Sequence, residues 1–290
     1  MIELDAATVL LQWATGGLLF MWVTTRRREL SLGYGWLMRG IFILLAAFGV
    51  VSGFRYGLVL GRELAQIGVV VAATVALGMS VIQRKAGVSG HMAEHDRRSE
   101  RVAAMTGIER TVEPRSGGAD TKAMTEFDPR LDLIAPVLGV VGLVFAGAAA
   151  GGNDALAIAR TLAGAAFLGA VTDAMLLGHW YLVQPGLKRG ALVELVRWVG
   201  YIWPVEVGLL LVPTGMISVW TGAIDDGYQG ILGWFWGVSA ITTIVLVFLT
   251  MAALKERYYS AVMAATGLLY LAILTAFGTD LIARALLASP

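Results

Sequence analysis

Eight long runs of apolar residues dominate the chain and restrict its fold more than any other feature. The runs cover residues 6–25, 40–60, 65–83, 132–151, 161–183, 191–213, 229–251 and 259–281. A helix of about 20 apolar residues crosses a bilayer, because backbone polar groups in lipid must be hydrogen-bonded within the segment itself. Each run is therefore expected to be a transmembrane helix, and the predicted fold class is an all-α polytopic membrane protein.

The composition excludes several classes of protein. Hydrophobic residues make up 57% of the chain, with a mean hydropathy of +0.73, which is too apolar for an ordinary soluble domain. Cys is absent, so no thiolate-ligated iron–sulfur cluster and no c-type haem can be held. The formal net charge of +1 gives no indication of nucleic-acid binding. Any redox cofactor would be non-covalent or would belong to a partner subunit.

The loop cations predict an orientation, because Lys and Arg close to span ends remain in the cytoplasm. One set of alternate loops and span ends carries only Arg55, Arg62, Arg160 and Arg284. The other set carries seventeen cations, namely Arg26, Arg27, Arg28, Arg39, Arg84, Lys85, Arg97, Arg98, Arg101, Arg110, Arg115, Lys122, Arg130, Lys188, Arg189, Lys255 and Arg257. We therefore expect a bacterial-type inner membrane protein with both termini outside and the basic loop 84–131 in the cytoplasm.

A weak internal repeat relates the two halves of the chain. Trp22 precedes Arg39 by the same interval that separates Trp180 from Arg197, at a common offset of 158 residues. Because the loop pattern gives both halves the same direction, the sequence predicts two parallel four-helix repeats. Their predicted bounds are 1–154, including the 84–131 loop, and 155–290.

Glycines at four-residue spacing indicate where helices come close together. Lipid provides no hydrophobic drive for helix association, so small residues are typical of packing seams in membranes. Two such seams are predicted, and they consist of Gly49, Gly53 and Gly57 in the second span and Gly147 with Gly151 at the end of the fourth.

Asp173, Glu206 and Arg55 lie well inside the predicted spans and are candidates for proton transfer. A charge at bilayer depth costs about 2.5–3.5 kcal/mol on insertion scales, so such a residue is expected to face protein or water. Asp173 lies near the middle of the fifth span, Glu206 lies in the outer part of the sixth, and Arg55 lies at a similar depth in the second. The repeat offset predicts that Arg55 pairs with Glu206 across the bundle interface. The alternative is that Arg55 extends to the outer surface.

A ligand site is predicted at the cytoplasmic end of the fifth and sixth spans. His179 is the only His in a predicted span, and an imidazole can relay protons, donate to a quinone carbonyl or ligate haem. Tyr181, Glu194 and Arg197 are expected close to it. Quinone is the favoured cofactor, and a non-covalent haem is disfavoured because no other His lies in a span. A hydrogen-bonded interfacial His is the structural alternative.

The cytoplasmic loop contains a pattern typical of metal binding. His91, Glu94 and His95 match H-x-x-E-H, in which two His one helical turn apart share a zinc ion. A third ligand and a soluble catalytic domain are not evident nearby, so the motif is interpreted as a solvated helical turn. We predict no catalytic and no metal site, and the chain is not expected to be an enzyme on its own.

Three functions remain open after these observations. The first is a membrane subunit of a respiratory or photosynthetic-type electron-transfer complex, with quinone near His179, protons moved through carboxylates, and partner subunits that carry the redox centres. The eight-helix double bundle is similar in architecture to quinol-handling subunits, without a shared residue motif. The second is a proton-coupled transporter or channel-like protein with Asp173 and Glu206 as its coupling carboxylates. The third is a non-catalytic scaffold or assembly subunit. In each case the expected surroundings are membrane lipid, with no nucleic acid.

Overall fold

The structure is a computed structural model that describes residues 4–89, 126–184, 187–256 and 258–288, together with residues 92 and 97. Within this part of the chain there are nine α-helices and no strands, which confirms the all-α prediction. The helices are α1 (Ala6–Thr25), α2 (Leu32–Tyr56), α3 (Leu60–Ile82), α4 (Ile134–Ala149), α5 (Asp154–Val183), α6 (Gly190–Leu211), the short α7 (Gly215–Trp220), α8 (Ile231–Lys255) and α9 (Tyr259–Leu286). Short 3₁₀ turns at Gln83–Ala86 and Pro129–Leu133 extend α3 and precede α4.

Seven helical segments of the described chain are long and apolar enough to cross a membrane. They are Ala6–Thr25, Leu32–Tyr56, Leu60–Ala86, Pro129–Ala149, Asp154–Val183, Ile231–Lys255 and Tyr259–Leu286. The remaining long helix, α6, has 22 residues but includes Glu194, Arg197 and Glu206. The sequence predicted eight spans, and the described helices are consistent with a polytopic membrane protein.

Large apolar side chains cover much of the outer surface of the helices. On α2, Leu44, Phe48, Val51 and Phe54 lie one turn or nearly one turn apart and are each more than half exposed. A contiguous apolar face of this size is unfavourable in water and favourable against lipid tails. The exposed apolar side chains and the length of the apolar helices therefore both indicate a membrane environment.

The helices pack in two connected groups. In the first, α1 contacts α2 and α4, and α3 contacts α2 and α4; in the second, α5 contacts α6 and α9, and α8 contacts α6 and α9. Contacts of α5 with α1 and α4 join the groups. α1 and α5 run in the same direction, because Gln12 contacts Thr161 whereas Gly16, one turn later, contacts Gly169. We call the end where α1 and α5 begin the terminal face, and the opposite end the loop face.

Two helices begin seven or eight residues earlier than the sequence predicted. α2 begins at Leu32 rather than near residue 40, and α5 begins at Asp154 rather than near residue 161. Arg39 and Arg160 had suggested span ends, but both side chains are buried and paired inside the protein. The Asn153 side chain accepts a hydrogen bond from Leu156 N at 3.0 Å and so fixes the true start of α5.

The predicted glycine seams are confirmed in part. A Cβ added to Gly49, Gly53 or Gly147 would lie 1.9, 2.1 or 2.7 Å from an atom of a neighbouring helix, so these positions hold close helix contacts. The prediction is wrong for Gly57 and Gly151, where an added Cβ would point into open space rather than against a neighbouring helix. Both follow the end of a helix, and Gly151 has a positive φ of 76° that suits a turn.

Candidate functional site

The candidate site is built around a buried ion pair on α9. Asp280 and Arg284 are four residues apart, one turn along the same helix face, and Arg284 Nε donates to Asp280 Oδ2 at 2.8 Å. Each side chain is 1% exposed. An ion pair at this depth is stabilising only where further polar groups surround it, so its neighbours decide its role.

Glu206 on α6 is the neighbour without a conventional partner. Its side chain is fully buried, and it interacts electrostatically with Asp280, Arg284 and Arg160. Its carboxyl group lies close to the Asp280 carboxyl. Among the described residues, no donor reaches either Glu206 oxygen, and none reaches Asp280 Oδ1. Two adjacent carboxyl groups, each with an open acceptor, can hold one proton between them.

Arg160 on α5 completes this group of four, which we call the α9 cluster (Arg160, Glu206, Asp280 and Arg284). Its guanidinium donates from Nε to Leu209 O at 2.9 Å and from Nη2 to Val212 O, both at the end of α6. The side chain is 4% exposed. Arg160 therefore ties the start of α5 to the end of α6 through carbonyl oxygens rather than through a carboxylate.

A large cavity opens above Arg160 at the terminal face. Its volume is about 950 Å³, and we call it the vestibule. The walls come from the start of α5, the turn that leads into α7, the loop 223–227 and the end of α9. Arg160 lies at its inner boundary, so the vestibule connects the terminal face to the α9 cluster.

A second group of charges lies at the terminal end of the first helix group. Arg62 on α3 pairs with Asp5 and donates from Nη2 to Glu63 Oε1 at 2.6 Å and to Gly57 O at 2.6 Å. It also donates to Thr8 Oγ1 at 2.9 Å. These contacts bind the start of α1, the end of α2 and the start of α3 together, which is a structural role.

The two groups of charges meet between the helix groups. A cavity of about 60 Å³ is lined by Asp5, Arg62, Thr161 and Arg284 among others. Gln12 on α1 crosses the same region and donates from Nε2 to Thr161 O at 2.8 Å. Polar side chains are therefore continuous across the contact between α1 and α5.

Asp173 lies deeper, near the middle of α5. It is fully buried, and no donor among the described residues reaches either carboxyl oxygen. Tyr34 on α2, also fully buried, interacts with it electrostatically. A carboxyl group in these surroundings can hold a proton, and no cation within the described part of the chain interacts with it to stabilise a fixed charge.

The structure does not gather the four residues predicted as a ligand pocket. His179 is exposed on the outer surface of α5, with Nδ1 3.2 Å from Tyr270 Oη on α9. Tyr181 is buried and donates to Lys188 O. Glu194 pairs with two arginines of the α1–α2 turn, Arg26 at 2.8 Å and Arg27 at 2.6 Å.

Arg197 and Arg55 also lie away from the positions that the sequence suggested. Arg197 is exposed on α6, and the partner of Glu194 is the α1–α2 turn rather than Arg197. Arg55 is exposed at the end of α2, whereas the cations near Glu206 are Arg160 and Arg284. The expected pair of Arg55 with Glu206 is not formed, because the true partners come from α5 and α9.

The described residues contain no group of three or more His, Asp or Glu that could hold a metal ion. His91, Glu94 and His95 lie outside the described part of the chain, so the H-x-x-E-H motif stays a prediction.

Sequence reasoning missed most of the α9 cluster. The sequence singled out only Glu206, because Arg160 and Arg284 lie at predicted span ends and Asp280 lies one residue from the predicted end of the last span. One signal was available, because an Asp and an Arg four residues apart in an apolar helix predict a buried pair. The partnership with Arg160 depends on the fold and has no local signal.

Comparison with known proteins gives no relative: no family model, no curated protein and no solved structure matches the chain.

Proposed function

We propose that the chain is a proton-coupled membrane transporter in which Glu206 binds and releases the proton. The observation that supports this most directly is the Glu206 carboxyl itself, which is fully buried, receives no hydrogen bond from a described residue and lies beside the Asp280 carboxyl. Ionisable groups at membrane depth mark ion pathways by default, and the vestibule supplies access from the terminal face.

The proton step is an exchange of partners at Glu206. With a proton, Glu206 donates to Asp280 Oδ1, while Asp280 Oδ2 keeps its hydrogen bond from Arg284 Nε. Without the proton, the two carboxylates repel each other and Glu206 attracts Arg160. Because Arg160 otherwise holds the carbonyl oxygens at the end of α6, its movement changes how α5 and α6 are tied together.

Asp173 is the second proton carrier in this proposal. Asp280 touches α5 at Gly164, and Asp173 lies nine residues further along that helix, about 13 Å toward the loop face. Gln12 and Thr172 supply polar groups on the α1–α5 contact between them. Two buried carboxyls at different depths allow the proton to be taken from one side and given to the other.

The proposal includes an arrangement in the membrane. The eight long helices form two parallel four-helix repeats, residues 1–154 and 155–290, and the ring of contacts in each half and the shared direction of α1 and α5 support this. The terminal face lies outside and the loop 84–131 lies in the cytoplasm of a bacterial-type inner membrane, as the cation distribution favours.

Proton flux through purified protein in liposomes tests the proposal. A potassium gradient with valinomycin sets the membrane potential, and an enclosed pH dye reports proton entry. We expect flux above that of empty liposomes in wild-type protein, loss of that flux in Glu206→Gln and in Asp173→Asn, and retention in Glu256→Gln, since Glu256 is exposed and lies away from the vestibule. Flux in Glu206→Gln equal to wild type, or wild-type flux equal to empty liposomes, would overturn the proposal.

A membrane subunit of an electron-transfer complex is the second candidate, and the position of His179 favours it. The ring is exposed on the surface of α5, and Tyr270, 44% exposed, lies beside it with the ring centroids 6.3 Å apart. A quinone in the bilayer would reach both side chains without entering the helix bundle. Its carbonyl would accept a hydrogen bond from the imidazole, and the redox centres would be on partner subunits.

Extraction of quinone from the purified protein tests this candidate. We expect quinone to co-purify with wild-type protein and to be lost in His179→Ala, while Arg130→Ala, an exposed change at the same face, retains it. A visible absorption spectrum reports haem in the same preparation. Absence of quinone, of visible absorbance and of co-purified redox subunits would exclude the candidate.

A further inference from the structure

The vestibule has the size of a small-molecule site. Its volume of about 950 Å³ lies within the range of roughly 300–1,000 Å³ that ligand pockets occupy. Its lining mixes apolar side chains such as Leu156 and Ile224 with the hydroxyl groups of Thr214 and Ser218. Of the four residues in the α9 cluster, only Arg160 lines the vestibule.

The inner end of the vestibule is positively charged. Arg160 lines it with a side chain that is 96% buried, and Gly152 and Asn153 place the start of the 30-residue helix α5 on the wall. A helix start carries partial positive charge and exposed N–H groups, which favour an anion. Two independent features therefore favour a negatively charged group at this end.

The outer rim is acidic and limits the charge of that anion. Asp225 and Asp226 line the cavity on the loop that leads to α8. Asp226 accepts hydrogen bonds from the backbone of Tyr228, Gly230 and Leu232, so its negative charge is held in place. A ligand with several negative charges is repelled here, whereas one carboxylate directed inward toward Arg160 is accommodated.

The net charge of the α9 cluster links binding of a carboxylate to binding of a proton. Arg160 and Arg284 balance Glu206 and Asp280 when both acids are ionised. When Glu206 gains a proton the cluster carries one net positive charge, which a single carboxylate beside Arg160 neutralises. The other charged groups around this position are Asp225 and Asp226 on the rim, Asp154 at the start of α5, and Arg62 with Asp5 across the 60 Å³ cavity.

We propose that the vestibule binds a small organic monocarboxylate from the terminal face, and that this binding is accompanied by uptake of one proton at Glu206. The inference rests on the proposed function, because it names the substrate class of the same proton-binding cluster. Arg160 is the binding residue for the carboxylate, and Leu156 borders the space for its apolar part.

Calorimetric titration of the full chain in detergent with sodium benzoate and sodium lactate tests the site, with choline chloride as the cation control. We expect saturable binding of at least one carboxylate and none of choline. Arg160→Gln should bind at least about thirtyfold more weakly, and Arg130→Gln, an exposed arginine, should be unchanged. Leu156→Trp keeps Arg160 and adds bulk to the cavity wall one turn from it, so it should also weaken binding, whereas Leu60→Trp, exposed at the same face, should not.

Repeating the titration in buffers of different ionisation enthalpy counts the protons taken up with the ligand. We expect about one proton per carboxylate in wild-type protein and none in Glu206→Gln, which should still bind. Binding without proton uptake would overturn the proposed function and leave the carboxylate site intact. Absence of binding for both carboxylates, or equal binding in wild type, Arg160→Gln and Leu156→Trp, would overturn the site, whatever the proton flux.

Discussion

Gly16 on α1 and Gly169 on α5 bring the two helix groups into backbone contact. A Cβ on Gly169 would lie 2.1 Å from the carbonyl carbon of Gly16, and a Cβ on Gly16 would lie 1.8 Å from Ala165 O. No side chain other than hydrogen fits at either position without separating the helices. The contact that brings Gln12 to Thr161, and the α9 cluster close to both, depends on this approach.

Valine at position 16 is therefore expected to separate the two helix groups. Gly16→Val places its side chain against backbone atoms that cannot move aside, so we expect a destabilisation of about 3 kcal/mol or more. Thermal unfolding in detergent measures it. Gly267→Val is the matched control, since no atom lies within 4 Å of a Cβ there. Equal melting temperatures for the two variants would contradict the close contact.

The positions of the long helices could be predicted from the sequence, because bilayer thickness fixes the length of each apolar run. α1 has the predicted bounds, and α9 begins at the predicted residue 259. The predicted ends were less accurate where a charged residue suggested a boundary, as at Arg39, since a charge count along the chain cannot show that a side chain is buried.

The side-chain partners could not be predicted, because they are set by packing between distant segments. Arg39 and Asp132 are 93 residues apart in sequence, and Arg160 meets Glu206 only because α5 packs on α6. Candidate residues could be identified one at a time from their cost in lipid, as Glu206 and Asp173 were. The pairing of each cation with its acid can be read only from the folded structure.

Breaking the Arg39–Asp132 pair is expected to destabilise the loop face. Arg39 donates to both carboxyl oxygens, at 2.8 and 2.6 Å, and both side chains are at most 3% exposed. Arg39→Met leaves a buried carboxylate without its cation, which costs about 3–5 kcal/mol. The double variant Arg39→Met with Asp132→Leu should recover most of this loss. Unfolding measurements on wild type, Arg39→Met, Asp132→Leu and the double variant form a cycle, and additive losses would show that the pair is not coupled.

The stability contributed by Asp226 is expected to depend on pH. Desolvation on its own would raise the pKa of this carboxyl, but hydrogen bonds from the backbone of Gly230, Tyr228, Leu232 and Gly233 outweigh it and lower the pKa. The folded state thus binds the proton less tightly than the unfolded state, whose value is about 3.9. The stabilisation is complete above about pH 4 and is lost as the pH falls through the lower folded value.

Asp226→Asn should therefore melt at a lower temperature than wild type at neutral pH, and the difference should shrink in acid below about pH 4. Asp225→Asn is the control, since Asp225 is exposed and accepts one backbone hydrogen bond, from Gly227 N at 2.9 Å. A difference between wild type and Asp226→Asn that stays constant from neutral to acid pH would contradict the lowered pKa.

Cysteine labelling in intact cells is expected to place the vestibule outside. The chain has no Cys, so a single introduced thiol reports one position without background. Tyr228→Cys, on the rim loop with Tyr228 63% exposed, should react with a membrane-impermeant maleimide in intact cells. Ser116→Cys, in the basic loop and outside the described residues, should react only after permeabilisation. The reverse labelling pattern would place the terminal face in the cytoplasm, and carboxylate and proton would then reach the vestibule from there.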